Sequence, residues 1–347
     1  MIELTSHNGL TCADIHHNTG TLTDPGRMPL FLPVPETTQT DAGTTRYQHI
    51  VHDLRVMPGR CALAVSPILP TGCRKLAMTD TPRLIAVGTH HKTGTVWLRR
   101  VFNIGSDTLN IPRIRVNGPR REDQIPATGR AVVVNWDSAF SDALLARDDL
   151  RGLHMIRDPR DVLISGMRYH QIAPEAGEKA LHVPRKELNG QSYQQHLKSL
   201  ETLHEKMLFE MQNMHLRTLN QMTAWRYDRP NIHEVRYEDL MQDQDCAMFA
   251  NILDFLGFTG TDKDTMLDIY WANSLFGGMK EKSDRPRRVS LHIQSGEAAQ
   301  WTTKLPRSVA EIYAKHHGQA LIDLGYETDM NWISRCPESV DLVATTS

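Results

Sequence analysis

From position 82 onward, short apolar runs alternate with longer stretches whose apolar residues recur at helical spacing. Residues 84–87 (LIAV) and 131–134 (AVVV) are continuously apolar, the pattern of strands covered on both faces of a parallel sheet. Residues 153–156 and 232–236 read as two further strands. After the first strand, Val96, Trp97, Leu98, Val101 and Phe102 share one helical face. Residues 162–169 continue a helix that Pro159 is placed to open, and a shorter helix is expected near residues 141–147. Tyr193, Leu197, Leu200, Leu203, Met207, Met211, Met214 and Trp225 trace one long helix, or two in series, ending before Pro230. A helix closing at residues 252–257 and an amphipathic one over residues 306–324 complete the set. The alternation describes an α/β chain.

Elsewhere the pattern is weak. Residues 1–80 are broken by Pro25, Pro29, Pro33, Pro35, Pro58, Pro67 and Pro70, with apolar density only at 47–56 and 62–65. They are expected to form a loop-rich extension. Residues 103–130 are basic and irregular (Arg113, Arg115, Arg120, Arg121, Arg130), either a solvated loop or the rim of a site for an anion. Residues 172–192, with Pro174, Gly177, Pro184 and Gly190, read as a flexible segment able to cover a site. Residues 331–347 are expected to be a tail.

Two stretches carry chemistry. In the first, residues 88–97 (GTHHKTGTVW), a polar loop joins a strand to a helix, which turns backbone N–H groups and the helix dipole toward an anion. Lys92 adds a charge, Thr93 and Thr95 add hydroxyls, and Gly94 lets the backbone approach a phosphate closely. The order differs from the usual ATPase loop, where Lys follows the second Gly and precedes Ser or Thr. A nucleotide kinase would need that order and an acidic metal ligand at a strand end, and neither is seen. In the second stretch, Arg157-Asp-Pro-Arg-Asp161 sits at the carboxyl end of a strand, where ligands of open parallel sheets collect. Ser165 lies about two helical turns on, so Arg157 and Ser165 can face one phosphate.

These residues carry a resemblance. Lys92-Thr93-Gly94-Thr95-Val96-Trp97 resembles the 5′-phosphosulfate loop of the PAPS-dependent sulfotransferases of the cytosolic and bacterial type, usually Lys-Ser/Thr-Gly-Thr-Thr-Trp. Arg157 with Ser165 eight residues later resembles their 3′-phosphate site. Tyr237-Glu-Asp-Leu240 is similar to a segment that closes the family's core, and Ser274-Leu-Phe276 with Met279 to one near the adenine. Gln294-Ser295-Gly296 followed by Trp301 resembles Arg-Lys/Ser-Gly followed by Trp, with Gln294 where relatives carry Arg. Gln brings no charge and no fork; Arg285, Arg287 and Arg288 stand close in sequence.

The resemblance runs from about residue 82 to 325. It implies a P-loop-NTPase-like three-layer α/β fold with a central, mostly parallel sheet, in a domain over residues 81–330. It implies PAPS as donor, PAP as product, a small-molecule acceptor with a hydroxyl or amine, no metal and no covalent intermediate. Lys92 would stabilise the oxygen leaving with the 5′-phosphate. Thr93, Thr95 and the Gly94 and Val96 amides would hold that phosphate. Trp97 either stacks on adenine or packs in the core. Cytosolic members carry a His after the strand preceding the Arg-x-Pro strand; this chain reads Val134-Asn135-Trp136-Asp137 there. Related carbohydrate sulfotransferases use a carboxylate, which makes Asp137 a candidate base beside His170, His90 and His91. The missing His and Gln294 also leave room for a sulfotransferase-like protein that binds nucleotide or a partner without turnover.

Bulk composition agrees with an ordinary globular protein: 347 residues, 40% hydrophobic, 23% charged, net charge −2. That charge gives no pull toward nucleic acid or acidic membranes. No apolar run reaches bilayer-spanning length, and the first residues lack the order of a signal peptide. Five cysteines without a Cys-x-x-Cys pair suggest neither a zinc site nor a disulfide framework. A cytoplasmic protein is expected, with homo-oligomer formation left open.

Overall fold

The computed structural model describes residues 81–292 and 296–340. The extension at residues 1–80, Gln294, Ser295 and the end at residues 341–347 lie outside the described residues.

Among the described residues five strands form one parallel sheet: β1 (Leu84–Gly88), β2 (Arg113–Arg115), β3 (Ala131–Asn135), β4 (Leu150–Ile156) and β5 (Ile232–Arg236), in the order β2-β3-β1-β4-β5. β1 and β3 are buried along their whole length because helices cover both faces. Alternate side chains serve opposite layers. Ile85 and Val87 join Val101, Phe102, Phe249 and Tyr270 in one cluster, while Leu84 and Ala86 pack with Leu144 and Leu145 in another. In register, Gly88 lies between Asn135 and His154, so the loop leaving β1 opens at the carboxyl edge of the sheet.

Helix α1 (Thr95–Thr108) follows that loop, and α2 (Asp142–Leu145) is capped by Ser141. α3 (Pro159–Ile172) starts with Pro in its first turn, as its missing N–H allows. The apolar stripe over residues 193–225 is not one or two helices but three: α4 (Tyr193–Ser199), α5 (Leu203–Gln212) and α6 (Met214–Ala224). A capping box of Ser192 with Gln195 opens α4 and a second, of Thr202 with Glu205, makes the break before α5, each pair satisfying amides reciprocally, while the break before α6 falls at Asn213, whose backbone leaves the helical region. Periodicity alone passes over such caps. The basic stretch 103–130 is likewise not wholly irregular, since α1 runs into it and β2 forms the sheet edge with Ile114 its one buried residue. Residues 172–192 are folded, with two 3₁₀ turns burying Leu181 and Leu188.

The chain continues through α7 (Tyr237–Gln242), α8 (Ala247–Phe255), α9 (Gly260–Ala272), α10 (Arg287–His292), α11 (Trp301–Lys304) and α12 (Arg307–Asp323). Trp301, Tyr313, Trp332 and Cys336 share a buried cluster with α3, α4 and α5. No helix among the described residues is long and apolar enough to cross a membrane.

Candidate active site

The loop after β1 is tied by its own hydroxyls. Thr93 Oγ1 accepts from the His90 amide at 2.9 Å and donates to the His90 carbonyl at 2.9 Å. Thr95 Oγ1 donates to the same carbonyl at 2.6 Å. The turn needs left-handed backbone at Lys92 (φ 65°) and at Gly94 (φ 100°). A Cβ at Gly94 would meet Met155 Cε at 2.6 Å and Tyr237 Cδ2 at 2.9 Å, so glycine is required on both counts. Gly94 caps α1, its carbonyl taking the Trp97 amide at 3.0 Å, and the start of the helix gives that end a positive pole.

The turn after β4 brings the second cation. Asp158 caps α3 by accepting from the Arg160 amide at 2.9 Å. Arg157 then reaches back to the loop: Nη1 donates to the Lys92 carbonyl (3.3 Å) and Nη2 to the Glu297 carbonyl (3.1 Å). Its guanidinium lies 4.4 Å over the Tyr237 ring, whose hydroxyl donates to the Gly296 carbonyl at 2.7 Å. Arg157 Nε is buried without a hydrogen-bond partner. Asp161 lies 3.6 Å from Arg157 and accepts from the Trp301 amide at 3.0 Å. Burial pushes its carboxyl up to about 6 against the opposing pull of Arg157. Arg160 turns the other way, pairing with Asp158 (2.7 Å) and Glu327 (2.6 Å) between the rings of Trp301 and Trp332.

One cavity of about 790 Å³ joins these parts. Lys92, Gly94, Thr95, Val96, Arg157, Ser165 and Gly296 all line it, and so does Asp137 beside Trp136. The other expected residues are elsewhere. Thr93 is buried in its turn, and Ser274 is buried with its hydroxyl on the Trp271 carbonyl. Phe276 packs edge-on against Trp97. Trp97 reaches the cavity wall, but one face of its ring is stacked on Tyr270 at 5.0 Å. His170 is buried behind His91, which does line the cavity, and His90 is fully buried.

The wall is strongly cationic in a chain of net charge −2: Lys92, Arg99, Arg100, Arg115, Arg157, Arg168, Arg217 and Arg287 against Asp137 and Glu178. Burial, and then the Arg157 charge, push the Lys92 amine down to about 7, with Glu178 and Glu210 opposing. Its Nζ lies 4.2 Å above the Tyr169 ring. A site that holds its cations at such cost is organised for an anion. Among the described residues no group of three or more His, Cys, Asp or Glu is arranged to hold a metal.

The sulfotransferase domain model matches residues 82–325, more than half of the chain. The chain belongs to the sulfotransferase domain family. In structure it is similar to mouse sulfotransferase SULT7A1 complexed with PAP, at 14% identity and TM-score 0.46, covering 69% of this chain and 84% of that one. It is similar also to retinol dehydratase with androsterone and inactive cofactor PAP (15%, TM-score 0.43, 70% and 82%) and with retinol and PAP (16%, TM-score 0.42, 70% and 82%). No curated protein matches the sequence.

Several wall residues of this family member escaped sequence reasoning. Arg168 stands one helical turn beyond Ser165 and was readable from that spacing. Glu178, Arg217 and Gln221 come from segments whose packing the sequence does not reveal, and Asn273 faces the cavity while accepting from Arg100 at 2.9 Å. Of the three arginines near Gln294, Arg287 lines the cavity, and Arg285 donates to the Met279 and Lys280 carbonyls.

Proposed function

We propose that the chain is a PAPS-dependent sulfotransferase that moves a sulfuryl group to a hydroxyl or amine of a small molecule. The observation that carries this reading is that Lys92 and Arg157 open onto one cavity and are linked directly through the Lys92 carbonyl. The residues present suit such a donor: Gly94 lets the loop close against Met155 and Tyr237, and the Arg157 guanidinium, its Nε without a partner, lies on the same cavity wall as Lys92, Thr95, Val96 and Ser165. The 5′-phosphate end belongs at the Thr95 and Val96 amides and Lys92. The 3′-phosphate end belongs at Arg157 and Ser165, with Arg168 and Arg287 on the same wall.

PAPS supplies an activated sulfuryl group. Negative charge then grows on the oxygen departing with the 5′-phosphate, and Lys92 is placed to stabilise that charge more in the transition state than before it. Its lowered pKa does not prevent this, because an incoming phosphate draws the proton back. Trp97 serves as the floor beneath the base through its edge, one face being committed to Tyr270.

The test is a thermal-shift titration with PAP against ATP and magnesium, followed by transfer of labelled sulfate from PAPS to a panel of hydroxyl and amine acceptors, with Lys92→Ala as control. Stabilisation by PAP and Lys92-dependent transfer are expected. Stabilisation by ATP with magnesium alone would overturn the reading in favour of a kinase. PAP binding without any transfer would leave a binding protein.

A further inference from the structure

We propose that His91 is the general base of this transfer and that a buried relay through His170 to Glu210 holds it in the required tautomer. The inference rests on the sulfuryl-transfer reading above. His91 lines the cavity beside Lys92. Its Nε2 lies 3.0 Å from His170 Nε2, with the two rings stacked at 5.0 Å and 12°. His170, on the last turn of α3, places Nδ1 2.8 Å from Glu210 Oε2. Glu210, on α5, is 1% exposed and also takes the Tyr193 hydroxyl at 2.8 Å. Gly166 makes room for it, since a Cβ there would stand 2.9 Å from Glu210 Oε1.

The direction of each hydrogen bond follows from the buried end. Burial raises the Tyr193 phenol well above its ordinary value, so it keeps its proton and donates. Glu210 Oε2 accepts that hydrogen bond at 2.8 Å and stands at the same distance from His170 Nδ1, for which it is the acceptor. His170 therefore carries its proton on Nδ1 and offers a lone pair at Nε2. His91 must then carry its proton on Nε2, which leaves Nδ1 as the basic nitrogen. This is the logic by which a carboxylate orients a catalytic imidazole, with one more ring between them.

In the transfer, the acceptor oxygen forms its bond to sulfur while its O–H bond breaks, the proton going to His91 Nδ1. The bond from sulfur to the 5′-phosphate oxygen breaks, and its electron pair leaves with that phosphate. The charge gained by His91 is shared along Nε2–H toward His170 and Glu210. His91 is the catalytic residue here; His170 and Glu210 are positioning residues. The titratable groups around the pair are Lys92 from the same loop, Tyr169 of α3, Glu178 from the segment after α3, Tyr193 of α4 and Glu210 of α5.

A second chain of the same chemistry shows what is distinctive. His90 Nε2 lies 2.9 Å from His154 Nε2, and His154 Nδ1 lies 2.5 Å from Glu234, which also takes the Trp225 indole N–H. None of its members lines the cavity, so it stitches β1 to β4 and β5. Of these two histidine chains, the one through His91 joins its buried carboxylate to the wall beside Lys92. Asp137 and Glu178 also line that wall, but a carboxylate is a weaker base than imidazole near neutral pH.

Transfer from PAPS is compared on para-nitrophenol, an acidic phenol with abundant phenolate at neutral pH, and para-methoxyphenol, which stays protonated there. His91→Gln is expected to slow transfer to para-methoxyphenol by about 10²–10⁴-fold and to affect para-nitrophenol far less. Glu210→Gln is expected to move the acidic limb of the kcat/KM profile to lower pH, because the imidazolium loses its counter-charge. Equal losses on both phenols, or a selective loss in Asp137→Asn instead, would overturn the proposal. Long-range proton–nitrogen NMR of the free protein reads the tautomers with no acceptor present: Nε2–H at His91 and Nδ1–H at His170 are expected, and Nδ1–H at His91 would overturn the relay. A wild-type protein that PAP fails to stabilise would remove the nucleotide reading instead, whatever the tautomers.

Discussion

PAP affinity should fall as pH rises from 7 to 9, and Lys92 should be the cause. In the free protein the amine is pushed down to about 7 by burial and by Arg157, against an ordinary value of 10.5. The two phosphates of PAP, one against Lys92 and the other against Arg157, offset the repulsion between these cations and favour the ammonium, so the bound form has the higher pKa. Between the two values binding takes up a proton, and affinity drops as pH climbs. Below pH 7 both forms are protonated and this dependence vanishes. Each pH unit inside the window is worth at most tenfold in Kd, about 1.4 kcal/mol. Because the amine is already half deprotonated at pH 7 the limit between pH 7 and pH 9 is about fiftyfold, and Lys92 as a whole is half-buried, so solvent screening lowers the figure further; about fivefold to thirtyfold is the expected range. Calorimetric titration with PAP in buffers of different ionisation enthalpy measures both Kd and proton uptake. Lys92→Arg, which keeps its charge throughout, should lose the slope. A flat wild-type profile, or the same slope in Lys92→Arg, would refute the reasoning.

Three substitutions probe the surrounding framework. Arg157→Lys keeps the charge but loses the planar fork that spans the Lys92 and Glu297 carbonyls, and should weaken PAP binding by about 1.5–3 kcal/mol in the same titration. Gly94→Ala forces a Cβ onto Met155 and Tyr237 at a positive φ and should lower the urea-unfolding free energy by about 1–3 kcal/mol; an unchanged midpoint would mean that the loop adapts. Arg160→Leu leaves the buried Asp158 carboxylate with no cation and Glu327 with Arg335 alone, and should cost about 3–5 kcal/mol by chemical denaturation; an unchanged midpoint would mean that the clamp does not hold the turn.

The parts of this site that could be read from the sequence are those held by local rules. Lys92, Gly94 and Arg157 sit at the ends of apolar strands, where chain direction alone decides which edge of the sheet they reach. Pro159 and Asp158 mark the start of α3 by ordinary capping chemistry. What was hidden depends on contacts far apart in sequence. No periodicity shows that Thr93 spends its hydroxyl on His90, or that Tyr270 covers one face of Trp97. Glu210 reaches His170 because α5 begins anew at Thr202, a break that an unbroken apolar stripe conceals. β2 is three residues long and half exposed, too short for any pattern to register.

The placement of Arg160 also bears on when the site comes into being. Arg157 is aimed by the turn that opens α3, and that turn is clamped by a guanidinium whose remaining partners, Glu327, Trp301 and Trp332, lie far downstream. In a growing chain the loop at Lys92 and all five strands precede these partners, and Arg160 has only Asp158 beside it. A chain that ended before Trp301 would therefore carry the lysine loop without the clamp that steadies the arginine opposite it.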